Sequence, residues 1–153
     1  MCIRDSFEAV PRQDLRATLY ADSGGRTGYS YIPNVEDEVQ RATQVLKSGS
    51  ATVQPSVNEM FEVNVFSERT NKAHILHLAC HGQQDEDPLK SCFALNPPLT
   101  ISTLMTLELP NAMLAYLSAC ETAKGDKRQP DQAVHLAASM LFCGFRSVVA
   151  TMW

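Results

Sequence analysis

The chain has no long hydrophobic run. None of its apolar stretches approaches the roughly 20 residues that cross a bilayer, and its start lacks the charged-then-apolar order of a secretory signal. These absences argue against a membrane partner and predict a cytoplasmic, intracellular address. Basic charge is not in excess either. Thirteen Lys and Arg stand against 17 Asp and Glu, a formal net charge of −4, and no stripe of cations is present to neutralise phosphates, so nucleic acid is not an expected partner. The paired cysteine framework of a secreted domain is also missing. The five cysteines, Cys2, Cys80, Cys92, Cys120 and Cys143, are odd in number and sit mostly in apolar segments, which predicts free thiols. The Gly-rich stretch Ser23 to Gly28 lacks the spacing of a phosphate cradle and reads as a loop.

What is present is a chain of ordinary domain size. It has 153 residues, 44% of them hydrophobic, enough to fill one core. Its most informative feature is a pair of short apolar runs, each ending in a reactive residue and a loop-type stretch. One is Ala73-His-Ile-Leu-His-Leu-Ala-Cys-His81-Gly82; the other is Ala112-Met-Leu-Ala-Tyr-Leu-Ser-Ala-Cys120-Glu121-Thr122-Ala123. Strands buried in a parallel sheet read as near-continuous hydrophobic runs, and residues past their carboxyl ends line the crevice where α/β proteins place ligands.

Around these runs the elements alternate. Leu15 to Ala21 reads as a strand. Asn34 stands at a cap position before Glu36 and Asp37, with Val35, Val39, Ala42 and Leu46 at helical spacing and Gly49 past the end, which predicts a helix. A short strand is expected at Ala51 to Val53, and Ser56-x-x-Glu59 after Pro55 reads as a capping box that opens a second helix through about Phe66. Gln83 to Lys90 reads as a polar loop, Ser91 to Leu95 as a short strand and Leu99 to Leu107 as a helix. Beyond Cys120, Lys124 to Pro130 reads as a loop, and Asp131 caps a helix through Cys143 with Val134, Ala137, Ala138 and Leu141 facing inward and Gly144 ending it. Ser147 to Trp153 reads as a β-branched strand with no turn or covering helix after it, so the domain is expected to be incomplete at its C-terminus. Met1 to Ser6 matches no periodicity, and residues 1–14 read as a poorly defined segment before a domain over 15–153. The sum predicts an α/β fold, a mostly parallel sheet with helices on both faces.

The chemistry centres on His81 and Cys120. The 39 residues between them are enough for a right-handed crossover that returns the chain parallel to its earlier strand. A thiol ionises near pH 8.5, and a neighbouring imidazole raises its thiolate fraction at neutral pH, as a nucleophile attacking a carbonyl carbon requires. Gly82 allows close backbone approach, and its N–H with that of Cys120 could bind an oxyanion. The plainer reading is that Cys120 packs as a small hydrophobe. The set His74-x-x-His77-x-x-Cys80-His81 contains metal-ligand types, but in a strand the same-face pair His77 and His81 lies about 13 Å apart, so no metal and no organic cofactor is expected. Cys80 falls on the face opposite His81 and reads as core. His135 reads as a hydrogen-bonded structural residue and Glu121 as a solvated or capping carboxylate. Asp85, Glu86, Asp87, Glu121 and Asp126 lie near the expected edge, where acidic walls, Asp85 and Glu121 among them, would suit a basic substrate side chain.

Four segments in order, His-Leu-Ala-Cys-His81-Gly82, Leu117-Ser-Ala-Cys120-Glu-Thr-Ala123-x-Gly125, Asp131-x-Ala-Val-His135-Leu-Ala-Ala138 and Val149-Ala-Thr-Met-Trp153, closely resemble the CHAT domain, a caspase-like module, especially versions found in basidiomycete fungi. Ile32-Pro-Asn-Val-Glu-Asp-Glu-Val39 resembles that family's first helix entry, so the resemblance runs from about Tyr31 to the last residue. It implies a three-layer caspase-like fold, a partial CHAT domain over 15–153, and a cysteine endopeptidase acting on a polypeptide substrate. His81 would be the general base or acid, Cys120 the nucleophile, and the Gly82 and Cys120 amides the oxyanion hole. It also implies attached tetratricopeptide-type repeats that regulate the domain. The alternative is a catalytically inactive scaffold or protein-interaction module.

Overall fold

The computed structural model describes residues 14–24, 28–83, 85–120 and 132–150. Apolar alternation governs its architecture. Strand β1 (Arg16–Ala21) leads through a loop to helix α1 (Val35–Ser48), strand β2 (Thr52–Val57), helix α2 (Val63–Lys72) and strand β3 (Ile75–Gln83). A hairpin of β4 (Cys92–Phe93) and β5 (Leu99–Thr100) then precedes helix α3 (Ile101–Met105), strand β6 (Leu114–Cys120), helix α4 (Gln132–Phe142) and strand β7 (Ser147–Ala150). Strands β2, β1, β3, β6 and β7 lie side by side, each parallel to its neighbour. The hairpin extends from the end of β3 with antiparallel pairing.

Side chains alternate across a strand, and each face of the sheet buries its own core. Ala17, Leu19, Ala21 and Ala79 pack against Val35 and Val39 of α1. On the opposite face Tyr20, Leu76, Leu78, Cys80, Ala115 and Leu117 pack with Phe66 of α2, Ile101 and Leu104 of α3, and Leu136 and Met140 of α4. The protein is therefore a three-layer α/β fold with a mostly parallel sheet, the arrangement of caspase-like domains. Each large apolar side chain buried in these layers contributes about 1.5–3 kcal/mol.

Several local expectations are corrected. Ser56 does not cap a helix. It lies in β2, paired with Tyr20 of β1, and the strand continues to Val57 before Asn58 turns in the left-handed region at φ 54°. The hydroxyl donates to the Glu59 carboxylate at 2.9 Å, a bond between side chains and not the reciprocal side-chain-to-backbone pair of a capping box, and the backbone is extended. Pro55 is tolerated because, among the described residues, β2 pairs only with β1, as an edge strand. Helix α2 consequently starts at Val63 and runs past Phe66 to Lys72. Asn34 occupies the cap position of α1 but in a left-handed conformation without a side-chain cap bond. The strand expected at Ser91 to Leu95 shrinks to Cys92–Phe93. Leu99 and Thr100 form a strand, and the Thr100 hydroxyl, accepting from the Thr103 N–H at 3.1 Å, starts a helix of five residues. The loop Lys124 to Pro130, the cap at Asp131 and the last three residues of the final strand lie outside the described residues.

The sheet order places a switch point at the candidate chemistry. From β1 the chain passes over one face to β2 on one side, whereas β3 and β6 lie on the other. Connections diverge from the carboxyl ends of β1 and β3, which opens a crevice there, the place where such sheets bind ligands.

Candidate active site

Backbone pairing alone brings the two reactive positions together. β3 and β6 run in register from Ile75 opposite Leu114 to His81 opposite Cys120, so the two residues are direct neighbours on adjacent strands, about 4.8 Å apart in the hydrogen-bonding direction. Both stand at the carboxyl edge, beside the switch-point crevice.

The His81 ring is 1% exposed and held by the loop that follows β1. Its Nε2 lies 2.7 Å from the Ser30 carbonyl oxygen. A carbonyl can only accept, so Nε2 carries the proton and, in the neutral ring, Nδ1 carries the lone pair. The Tyr29 ring stacks on the imidazole at 5.2 Å and 23° between planes, and the Tyr29 hydroxyl bonds Gln83 at the end of β3. Gly24 makes this close approach possible: a Cβ there would stand 2.4 Å from the Ser30 oxygen and 3.1 Å from His81 Nε2.

Two acidic residues absent from the sequence-based list organise this region. Asp22, 3% exposed, follows β1; its N–H donates to the Ala79 carbonyl of β3 and its carboxylate accepts from the Gly24 N–H at 2.7 Å. An acid before Ser-Gly-Gly is the signature of an Asx turn, the one local signal that could have drawn notice to it. Glu38 projects from α1 to the sheet and accepts from His77 Nε2 and from the Ser118 hydroxyl, each at 2.9 Å. Burial alone would raise its pKa, but the His77 and Ser118 hydrogen bonds outweigh that and hold it below the usual carboxylate value. A cleft of about 570 Å³ opens over this point, lined by Ile32, Pro33, Asp37, Glu38, Arg41 and Ser118. A second cleft, of about 370 Å³ between Arg16, Thr52 and Arg69, lies toward the amino ends of β1 and β2, at the opposite end of the sheet from His81.

The His74 to His81 set is dispersed rather than convergent. His74 Nδ1 accepts from the Arg16 N–H, His77 meets Glu38, Cys80 enters the core and His81 meets Ser30. Burial pushes the Cys80 thiol far up, helped by the Asp22 carboxylate, and burial also raises Cys92 and Cys143. All three are therefore poor nucleophiles. The Asp85 carboxylate serves its own turn, accepting from the Asp87 N–H at 3.0 Å, while Asp87 accepts from the Leu89 N–H. Gly82 has a packing role: a Cβ there would meet Leu136 Cδ1 of α4 at 2.9 Å. The Ala94 N–H donates to the His81 carbonyl, which makes Gly82 and Phe93 a non-hydrogen-bonded pair, so the Gly82 N–H points away from β4 and toward β6, where Cys120 is in register with His81. Glu121, Asp126 and the His135 side chain lie outside the described residues.

Comparison with known proteins agrees with the fold. No curated protein matches the chain significantly. The family model of the CHAT domain matches residues 9–153, nearly the whole sequence and every element described above. The chain belongs to the CHAT domain family, whose members are caspase-like and related to cysteine peptidases.

Proposed function

We propose that this chain is a cysteine endopeptidase domain in which His81 and Cys120 form the catalytic dyad. The observation that carries the reading is their direct pairing at the carboxyl ends of two parallel strands, next to an imidazole whose tautomer is fixed by the Ser30 carbonyl. With the proton on Nε2, Nδ1 takes the thiol proton. The Cys120 thiolate attacks the scissile carbonyl carbon, and the amides of Gly82 and Cys120 receive the developing oxyanion. His81, now doubly protonated, gives its Nδ1 proton to the leaving amine, and water then hydrolyses the acyl-enzyme with His81 as base. An oxyanion donor of this kind is worth about 3–4 kcal/mol in the transition state.

The substrate in this reading is a polypeptide, and an attached region of tetratricopeptide-type repeats regulates access to the crevice. Both assignments rest on the family resemblance. The test is hydrolysis of a peptide library by the full-length protein. Cys120→Ala and His81→Ala are each expected to lower cleavage by at least about 10³-fold, as loss of a nucleophile or its base does. Cleavage unchanged in either variant would defeat the proposal.

A further inference from the structure

Glu38 occupies a junction of three elements. It belongs to α1, it bonds His77 of β3 four residues before His81, and it bonds Ser118 of β6 two residues before Cys120. His77 is 4% exposed and its ring meets the edge of Tyr116 of β6 at 4.8 Å and 89°. His77 and His81 share one face of β3 because side chains alternate along a strand. One carboxylate thus seats α1 on both strands that end in the dyad positions. The loop entering α1 carries Tyr29 and Ser30, the two residues that hold the His81 ring. This loop is tied a second time, because the Asn58 amide links Ser23 to Glu36. Among the described residues, the charged and titratable groups around Glu38 are Glu36, Asp37 and Arg41 on its own helix, His77 on β3 and Tyr116 on β6.

We propose that Glu38 is a positioning residue of the dyad: by anchoring α1 to His77 and Ser118 it sets where the Ser30 carbonyl holds His81 against Cys120. This rests on the endopeptidase reading. Glu38 touches no reacting atom. Its effect passes through Ser30 and the imidazole, so it should appear in the ionisation of the Cys120 thiol and not only in stability. An ordinary helix-to-sheet anchor would move unfolding midpoints and leave thiol ionisation where it was. Both bonds are charge-assisted because the carboxylate is ionised, which makes them stronger than neutral pairs and directional enough to hold a helix at one setting.

The experiment is thiolate absorbance against pH in the full chain, each curve taken as the difference from the same protein carrying Cys120→Ser. Wild type, Glu38→Ala, Glu38→Gln, Ser118→Ala and His81→Ala are compared, with circular dichroism to select folded variants. Glu38→Ala is expected to raise the Cys120 midpoint by about one pH unit, a tenfold fall in thiolate at pH below it. Glu38→Gln, which keeps the shape and one acceptor, should recover at least half of that shift, and Ser118→Ala should move the midpoint in the same direction by less. If Glu38→Ala fails to fold, the Glu38→Gln and Ser118→Ala shifts decide the matter. Midpoints unmoved in the Glu38 and Ser118 variants while His81→Ala raises the midpoint would overturn the positioning role and leave the dyad intact. A midpoint indifferent to His81→Ala as well would remove the dyad reading, and the positioning role with it.

Discussion

Gly24 has no side chain where the loop after β1 passes beside His81 and Ser30. Its φ of +93° already lies in the region that favours glycine, and a Cβ would collide with the Ser30 carbonyl at 2.4 Å. A backbone atom cannot swing aside as a side chain can. Gly24→Ala is therefore expected to cost about 1–3 kcal/mol and to detach His81 from Ser30. Gly82→Ala meets only the flexible end of Leu136 at 2.9 Å and should cost about 1 kcal/mol, the low end for overpacking. Urea unfolding of the two variants gives the comparison, and a Gly82→Ala cost above that of Gly24→Ala would contradict this account of the loop. The residues that chemistry singles out in the sequence, His81 and Cys120, are neighbours in the fold because each ends an apolar run. Ser30 was not legible, since it contributes a backbone oxygen that any residue type could supply. Glu38 was hidden among three consecutive acids of a helix start, where Glu36 and Asp37 read as favourable to the helix dipole.

Among the elements, apolar runs located the long strands β3 and β6, and the Asn34 and Gly49 signals bounded α1, but local signals misplaced the starts of α2 and α3. The Ser56-x-x-Glu59 motif failed because β2 gains parallel pairing with β1 through Val57, and a strand ladder outweighs a cap worth about 1 kcal/mol. The Leu99 to Leu107 segment was split for a similar reason: Leu99 and Thr100 pair with Phe93 and Cys92, so only the following turns are helical. Phe66 shows where α2 gets its stability. It is 0% exposed, its ring lies 4.8 Å from Tyr20 and 5.4 Å from Phe61, and the helix has no side-chain N-cap bond. Phe66→Ala should destabilise the protein by about 3–5 kcal/mol. A loss under about 1 kcal/mol in urea unfolding would mean that α2 is held by something other than this cluster.

At the scale of the whole molecule, buried thiols and one bonded carboxylate shape stability against pH. Cys80, Cys92 and Cys143 have raised pKa values in the folded protein, chiefly through burial. The unfolded chain ionises these thiols first, so their contribution is complete below the ordinary value of 9.0 and is lost as pH rises beyond it. Glu38 has the opposite sign. Its folded pKa is depressed, so its contribution is present above the ordinary value of 4.5 and is lost as pH falls through the folded pKa. Urea midpoints measured across pH should therefore fall at both ends, and Glu38→Gln should flatten the acid side alone. An acid side unchanged by Glu38→Gln would contradict the hydrogen-bonded setting described for that carboxylate. The global architecture was legible because two apolar runs and the face of α1 follow from patterning, whereas the strand order, and with it the switch point, follows from pairing between distant segments. The loop from Asp22 to Ser30 was not, because its conformation depends on contacts with β3 that no local pattern encodes.

On the proposed function, His81 activates Cys120. The decisive experiment is alkylation of each cysteine by iodoacetamide, followed against pH by peptide mass spectrometry in the full chain with and without His81→Ala. Cys120 is expected to label rapidly below the ordinary thiol value, slowed markedly by His81→Ala, while Cys80, Cys92 and Cys143 label slowly in both proteins. Cys120 labelling no faster than that of Cys92, and indifferent to His81→Ala, would contradict it.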